Sequence, residues 1–186
     1  MRLSDKEIRI PLYDFIENVE HRIRVIEEFS FGAAIADLLA VTDGILTGYE
    51  IKSDLDSYVR LKTQVREYSK YFDYCYAVIG RSHQKGILKH IPETWGILLV
   101  MSDLISGTQI NVIRQATVNP LATLDFKLRI LWRRELVNIS FRNGLGKCSG
   151  KPMHQIKSHL KKYIDNNKLL RELTEELFER DYTVKN

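Results

Sequence analysis

The chain changes its hydrophobic period once, at Asn119-Pro120, and that change limits what it can fold into. Upstream, short runs rich in β-branched and aromatic residues alternate with helical stretches; downstream, apolar residues recur at helical spacing only. Ser4-Asp5-Lys6-Glu7 has the form of a capping box, and Ile8, Leu12, Phe15, Ile16 and Val19 follow at helical intervals. They predict a helix over roughly residues 4–20, with Pro11 as a kink or restart. Residues 24–29, 34–41 and 46–52 read as a meander of strands, with Asp43-Gly44 as the hairpin between the last two. Asp56 or Ser57 can cap a second helix striped by Leu61, Val65, Tyr68 and Phe72, and residues 74–79 then read as a fully buried strand. A short helix over 84–91, a strand over 95–101 and an edge strand over 109–118 complete an α/β alternation. Beyond it come Leu124, Leu128, Leu131, Leu136 and Ile139, then Ile156, Leu160 and Ile164, then Leu169, Leu173 and Leu177, all helical. The predicted fold class is therefore α/β: a mixed central sheet flanked by helices over residues 1–118, and an α-helical C-terminal extension over 119–186 in the same compact unit.

A length of 186 residues with 44% hydrophobic and 28% charged residues suits one such unit. No apolar run is long enough for a signal peptide or a membrane span, so a cytoplasmic protein with no membrane partner is expected. Cys75 and Cys148 lack any CxxC partner and read as reduced thiols rather than zinc ligands or a disulfide. Charge is distributed unevenly. Residues 1–120 hold 14 Lys/Arg against 16 Asp/Glu, whereas 121–186 hold 14 against 8. Between Lys127 and Lys162 ten basic residues face one acid, Glu135, a field suited to a polyanion, although a solvated helical surface has the same composition. Within it Arg133, Arg134, Lys147, Lys151, Lys157 and Lys161 are the candidate nucleic-acid contacts. The aromatic Trp132 beside the arginines fits a leucine-lined core better than a base stack.

Chemistry concentrates in Thr47-Gly48-Tyr49-Glu50-Ile51-Lys52. Side chains alternate along a strand, so Glu50 and Lys52 share one face while Tyr49 and Ile51 enter the opposite layer. Antiparallel pairing through Asp43-Gly44 can set Asp37 beside Glu50 in a favourable register. Two adjacent carboxylates repel unless a cation neutralises them, and hard oxygen ligands suit Mg²⁺ or Mn²⁺, which keep waters that a substrate phosphate can replace. Lys52 could hold the attacking water or offset developing charge. A surface ion pair explains Glu50 and Lys52 taken alone equally well.

Asp37, twelve intervening residues, and Glu50-Ile51-Lys52 together resemble the PD-(D/E)XK nuclease superfamily. Gly48-Tyr49-Glu50-Ile51-Lys52-Ser53-Asp54 followed by Gln64-x-x-x-Tyr68 is similar to its small bacterial and phage-associated branch, which bears a RecB-like Gln-x-x-x-Tyr helix. The likeness covers roughly residues 3–100, and Ala36 stands where the family name has proline. It implies a restriction-endonuclease-like core, with Asp37, Glu50 and the Ile51 backbone carbonyl as metal ligands and Lys52 as the catalytic lysine. It further implies Glu28 as the upstream glutamate, with Glu27 competing for that role, and Gln64 and Tyr68 as residues orienting the lysine, the metal-bound water or the nucleic-acid strand. Gln64 ranks above Tyr68, which also belongs to the apolar stripe. Ser53 and Asp54 are better suited to the turn that follows than to aiding the lysine.

Two look-alikes fail on context. Asp125-Phe126-Lys127 opens a helical pattern and has no acid in residues 104–124; Gly144 to Lys151 lacks both the first glycine and the hydroxyl residue of a Walker loop. A lysine and glycine loop before a helix could still take a phosphate through backbone N–H groups. The five histidines show no metal-ligand spacing. The expected activity is Mg²⁺- or Mn²⁺-dependent hydrolysis of DNA phosphodiester bonds with low sequence specificity. Two alternatives stand beside it: a nuclease fold with little or no cleavage that holds DNA or protein, and an RNA-cleaving enzyme. DNA is the expected partner, RNA the alternative, and a homodimer stays open.

Overall fold

The computed structural model describes residues 2–18, 22–103 and 107–182. Six strands, β1 (Arg24–Phe31), β2 (Ala34–Thr42), β3 (Ile45–Lys52), β4 (Tyr74–Ile79), β5 (Gly96–Asp103) and β6 (Gly107–Arg114), form one sheet in sequence order. β1, β2 and β3 pair antiparallel, β3, β4 and β5 parallel, and β6 closes antiparallel on β5. The α/β class and the mixed sheet flanked by helices are thus those read from the sequence. Asp43-Gly44 is the two-residue hairpin loop, with Gly44 at φ 75°, a conformation glycine adopts without steric cost.

Helix α1 (Asp5–Glu17) begins at the capping box, where the Ser4 backbone N–H donates to Glu7 at 2.8 Å, and it carries Pro11 within it. Its Ile8, Leu12 and Ile16 cover one sheet face, against Leu38, Tyr49, Ile51, Val78 and Leu98. Val19, the last residue of its predicted stripe, lies outside the described residues. Helix α2 (Leu61–Tyr71) covers the opposite face together with the C-terminal helices α3 (Leu124–Lys127), α4 (Arg133–Arg142), α5 (Met153–Tyr163) and α6 (Asn166–Glu179). The alternation along β3 is therefore realised: Tyr49 and Ile51 enter the layer under α1, and Gly48 faces α2.

Several boundaries differ from the sequence reading. α2 starts at Leu61, not near Asp56, because the Asp56 carboxylate is taken by the Ser53 backbone N–H at 2.8 Å and the Ser53 hydroxyl at 2.6 Å. Local side-chain to backbone bonding of this kind competes with helix capping. Where a helix over 84–91 is predicted, two short 3₁₀ turns form instead, Arg81–His83 and Ile87–Lys89. Gly80 and Gly86 immediately precede them, and glycine disfavours longer helical runs. β6 stops at Arg114 rather than 118, since its partner β5 begins at Gly96 and Ile97 with Arg114 is the last pair of their ladder.

The C-terminal helices dock at the hairpin end of the sheet. Gly44 N–H donates to Thr174 Oγ1 at 2.9 Å, and Asp73 accepts both the Leu46 N–H at 2.9 Å and the Lys127 ammonium. A buried pair, Arg180 on Glu135 at 2.6 Å, ties the end of α6 to α4. Among the described residues no helix is long and apolar enough to cross a membrane.

Candidate active site

At the opposite end of β2 and β3 the sheet opens into a cleft of about 820 Å³, whose walls include Glu28, Asp37, Glu50, Ile51, Lys52, Arg60, Thr63 and Gln64. Its geometry follows from register. Leu38 pairs with Tyr49, the last pair of that antiparallel ladder, which carries Asp37 to the level of Glu50, and both carboxylates line the cleft. Backbone pairing ends there because Asp37 Oδ2 itself accepts the Ile51 N–H at 2.6 Å. The Ile51 side chain is buried under α1, so this residue meets the cleft with its main chain.

Glu50 and Lys52 are nearly inaccessible, at 1% and 5% exposure, which separates them from a solvated surface pair. Lys52 Nζ lies 2.5 Å from Glu50 Oε1 and 3.3 Å from Gln64 Oε1. Tyr68 Oη lies 2.9 Å from Glu50 Oε2 and 3.1 Å from the Tyr49 carbonyl oxygen, its single proton serving either acceptor. Tyr68 thus does both things the sequence set against each other: its ring belongs to the core beside Phe31, Phe72 and Trp95, and its hydroxyl fixes Glu50. Gly48 makes that reach available, since a Cβ there would stand 2.4 Å from the Phe72 ring and 2.9 Å from the Tyr68 ring.

Burial sets the electrostatics. It raises the Asp37 carboxyl to about 7, with repulsion from Glu50 adding to it, and the Ile51 N–H, Lys52 and Arg9 only partly oppose the rise. Burial raises Glu50 as well, against the opposing pull of Lys52, Tyr68 and Gln64. Burying two carboxylates side by side costs stability, a pattern concentrated at functional sites.

Glu28 faces Asp37 across the β1–β2 ladder at a position between the Glu27–Leu38 and Phe29–Ala36 pairs. Its φ is 48°, an uncommon left-handed conformation for a glutamate. Glu28 reaches the cleft; Glu27 instead accepts the Tyr13 hydroxyl at 2.6 Å. Sequence reasoning missed Arg9, which donates to Glu28 and to Asp5, each at 2.6 Å, and to the Asp37 carbonyl at 3.1 Å. Its position on α1, three residues before Leu12 and one after Ile8, marks the helix edge turned toward β1. Ser53 and Asp54 serve the turn: Asp54 accepts the Leu3 N–H at 2.9 Å and the Ser82 N–H at 2.7 Å, while Ser53 engages Asp56.

The six basic candidates of the extension lie outside the cleft. Arg133 donates to the Lys151 carbonyl at 2.6 Å and the Cys148 carbonyl at 3.2 Å, and Lys161 pairs with Asp125. Arg134 stacks on Trp132 at 4.5 Å, Lys147 is exposed, Lys151 is half-buried, and Lys157 is lowered by partial burial and by Arg129. Among the described residues no three His, Cys, Asp or Glu side chains converge as a ready metal cage. The donors nearest Lys52, the Asp37 and Glu50 carboxylates and the Ile51 main chain, offer hard oxygens, a set that suits a cation keeping several of its waters.

A mixed α/β protein with a buried acid–lysine pair at one sheet end is the class that fold and site define. The sequence pattern of the bacteriophage P4 protein cII family matches residues 2–186, and the chain belongs to that family. No curated protein matches it. Among solved structures, Pyrococcus furiosus SfsA in complex with Ca²⁺ is similar at 18% identity and a TM-score of 0.34, over 61% of this chain and 61% of that one.

Proposed function

We propose that the chain is a metal-dependent phosphodiesterase acting on DNA, of the PD-(D/E)XK kind. The observation that carries this reading is the convergence of Asp37, Glu50 and Lys52 in one cleft, with Gln64 on the lysine and Tyr68 on the glutamate. Asp37, Glu50 and the Ile51 main chain would hold Mg²⁺ or Mn²⁺, whose charge offsets the repulsion between the two buried acids. A divalent cation bound there supplies Lewis-acid polarisation of the phosphoryl oxygen and a water of lowered pKa. The chain's own residues do the positioning. Lys52 has three N–H donors, two of them engaged by Glu50 and Gln64, which leaves one for a water or a phosphoryl oxygen. Gln64 and Tyr68 hold lysine and glutamate in place, so their geometry is set before substrate arrives. Glu28, in its strained conformation opposite Asp37, is suited to complete the acidic wall.

One observation favours a second reading, a nuclease fold kept as a DNA-holding or protein-interaction module. Lys52 and Arg9 already neutralise Glu50 and Glu28, so the acids have cationic partners within the chain itself. The deciding experiment is cleavage of linear duplex, circular plasmid, single-stranded DNA and RNA by wild type, Asp37→Ala and Lys52→Ala, each with Mg²⁺, Mn²⁺ or EDTA. Metal-dependent cutting lost in both variants supports the phosphodiesterase, and the substrate pattern decides between DNA and RNA. Binding of nucleic acid with no cutting under any metal supports the module.

A further inference from the structure

We infer that the outer face of α2, continued by Arg129 and Lys157, is the track that holds the phosphates of a nucleic-acid strand whose scissile bond lies in the cleft. This rests on the function proposed above. The cleft alone repels a polyanion, because its walls carry Asp5, Glu28, Asp37, Glu50 and Asp56 against Lys52 and Arg60. A compensating positive surface has to lie beside it for a strand to enter.

Lys62, Arg66 and Lys70 follow one another at four-residue intervals, so they form one row along α2 spanning ~12 Å, the rise of eight helical residues. Arg60, at the head of that helix, stands in the cleft wall. The row starts beside the site and leads away from it. Neighbouring like charges at this spacing destabilise a helix, and a single acid, Glu67, offsets them, at 2.7 Å from Lys70 and 3.4 Å from Arg66. Among the described residues Arg60 and Lys62 have no acidic partner within ion-pair distance. Beyond Lys70 the positive surface continues. Lys70 and Arg129 approach the Phe126 ring at 5.6 and 4.5 Å, and Lys157 beyond them is held below its ordinary value by partial burial first and by the charge of Arg129 second. The stripe thus joins the cleft to the basic C-terminal helices, whereas Arg133 and Lys161 are engaged within the fold.

The test is fluorescence anisotropy of labelled duplex DNA, single-stranded DNA and RNA in EDTA over a range of salt. Wild type is compared with Lys62→Gln/Arg66→Gln/Arg129→Gln and with Lys147→Gln/Lys151→Gln. All five positions are exposed or half-buried, and thermal melting of each variant verifies folding. The α2 variant should bind duplex at least roughly tenfold more weakly, with a log affinity against log salt slope shallower by about 2.7, three contacts at ~0.9 each. The loop variant should change by less than about twofold. A folded α2 variant that binds with wild-type affinity and slope overturns the inference, as does a loop variant that loses more than the α2 variant. Wild type that binds through α2 yet cuts nothing overturns the phosphodiesterase and leaves the track standing. Wild type that cuts, with the α2 variant unchanged, overturns the track alone. Comparing the DNA and RNA arms tells which polymer the track accepts.

Discussion

The Tyr68 hydroxyl stands 2.9 Å from Glu50 Oε2 while Lys52 stands 2.5 Å from Glu50 Oε1, so the glutamate is held from both sides before any ligand arrives. Tyr68→Phe keeps the ring that packs on Phe31, Phe72 and Trp95 and removes only the hydroxyl. Loss of that donor beside a buried carboxylate should cost about 1–3 kcal/mol of stability in denaturant melts. Cleavage should fall by roughly tenfold to a hundredfold, as for other residues that orient a ligand rather than act as one. Unchanged stability together with unchanged cleavage would mean that the hydroxyl positions nothing.

Gly48 should be nearly irreplaceable on this account. A methyl there meets the Phe72 ring at 2.4 Å, so Gly48→Ala must push α2 off β3 and carry Tyr68 and Gln64 away from Glu50 and Lys52. Overpacking of this sort costs typically ~1–3 kcal/mol, read from urea unfolding, and activity should fall beyond what that loss explains. A variant of wild-type stability and activity would show that α2 need not approach so closely.

The fold was legible wherever local chemistry and burial agreed. The capping box at Ser4, the Asp43-Gly44 hairpin and the alternation through Glu50 and Lys52 each rest on residues whose preferred conformation matches their tertiary setting. Misplaced boundaries came from tertiary partners that local pattern does not show: Asp56 bonds Ser53 instead of capping α2, and β6 ends where its partner β5 begins. The facing of Asp37 and Glu50 was legible because a two-residue hairpin leaves little freedom of register. Arg9 was not, since nothing in a helix read by itself tells which strand its polar edge will meet. The basic row of α2 was hidden by summing charge over residues 1–120, where acids elsewhere cancel it.

Asp37 gives a pH dependence of definite sign. Its carboxyl rises from 3.8 to about 7 on folding, chiefly through burial, so the folded state holds the proton where the unfolded chain has lost it. Stability tied to this group is complete below about pH 4, declines as pH rises through the interval to about 7, and is level above that. Asp37→Asn, whose side-chain oxygen can still accept the Ile51 N–H, should match wild type near pH 4 and exceed it near pH 8 by on the order of 4 kcal/mol. Thermal melts across this range test it; parallel curves for the two proteins would contradict it.

Arg9 ties Glu28, Asp5 and the Asp37 carbonyl together, and its charge opposes that of an incoming cation. Arg9→Met should lower stability by about 1–3 kcal/mol, because charged acceptors lose their donor. Mn²⁺ affinity should rise by roughly threefold to tenfold in the same variant, since a positive charge beside Asp37 is gone. Weaker Mn²⁺ binding by a folded Arg9→Met would show instead that the arginine assembles the acidic wall.

The most direct measurement is titration calorimetry of Mn²⁺ into folded wild type, Asp37→Asn and Glu50→Gln. Binding by wild type near pH 8, lost in both variants while their melting transitions persist, is the result this account predicts. Folded wild type that takes up no Mn²⁺, or variants that bind it as well as wild type, would contradict a metal-dependent centre at Asp37 and Glu50.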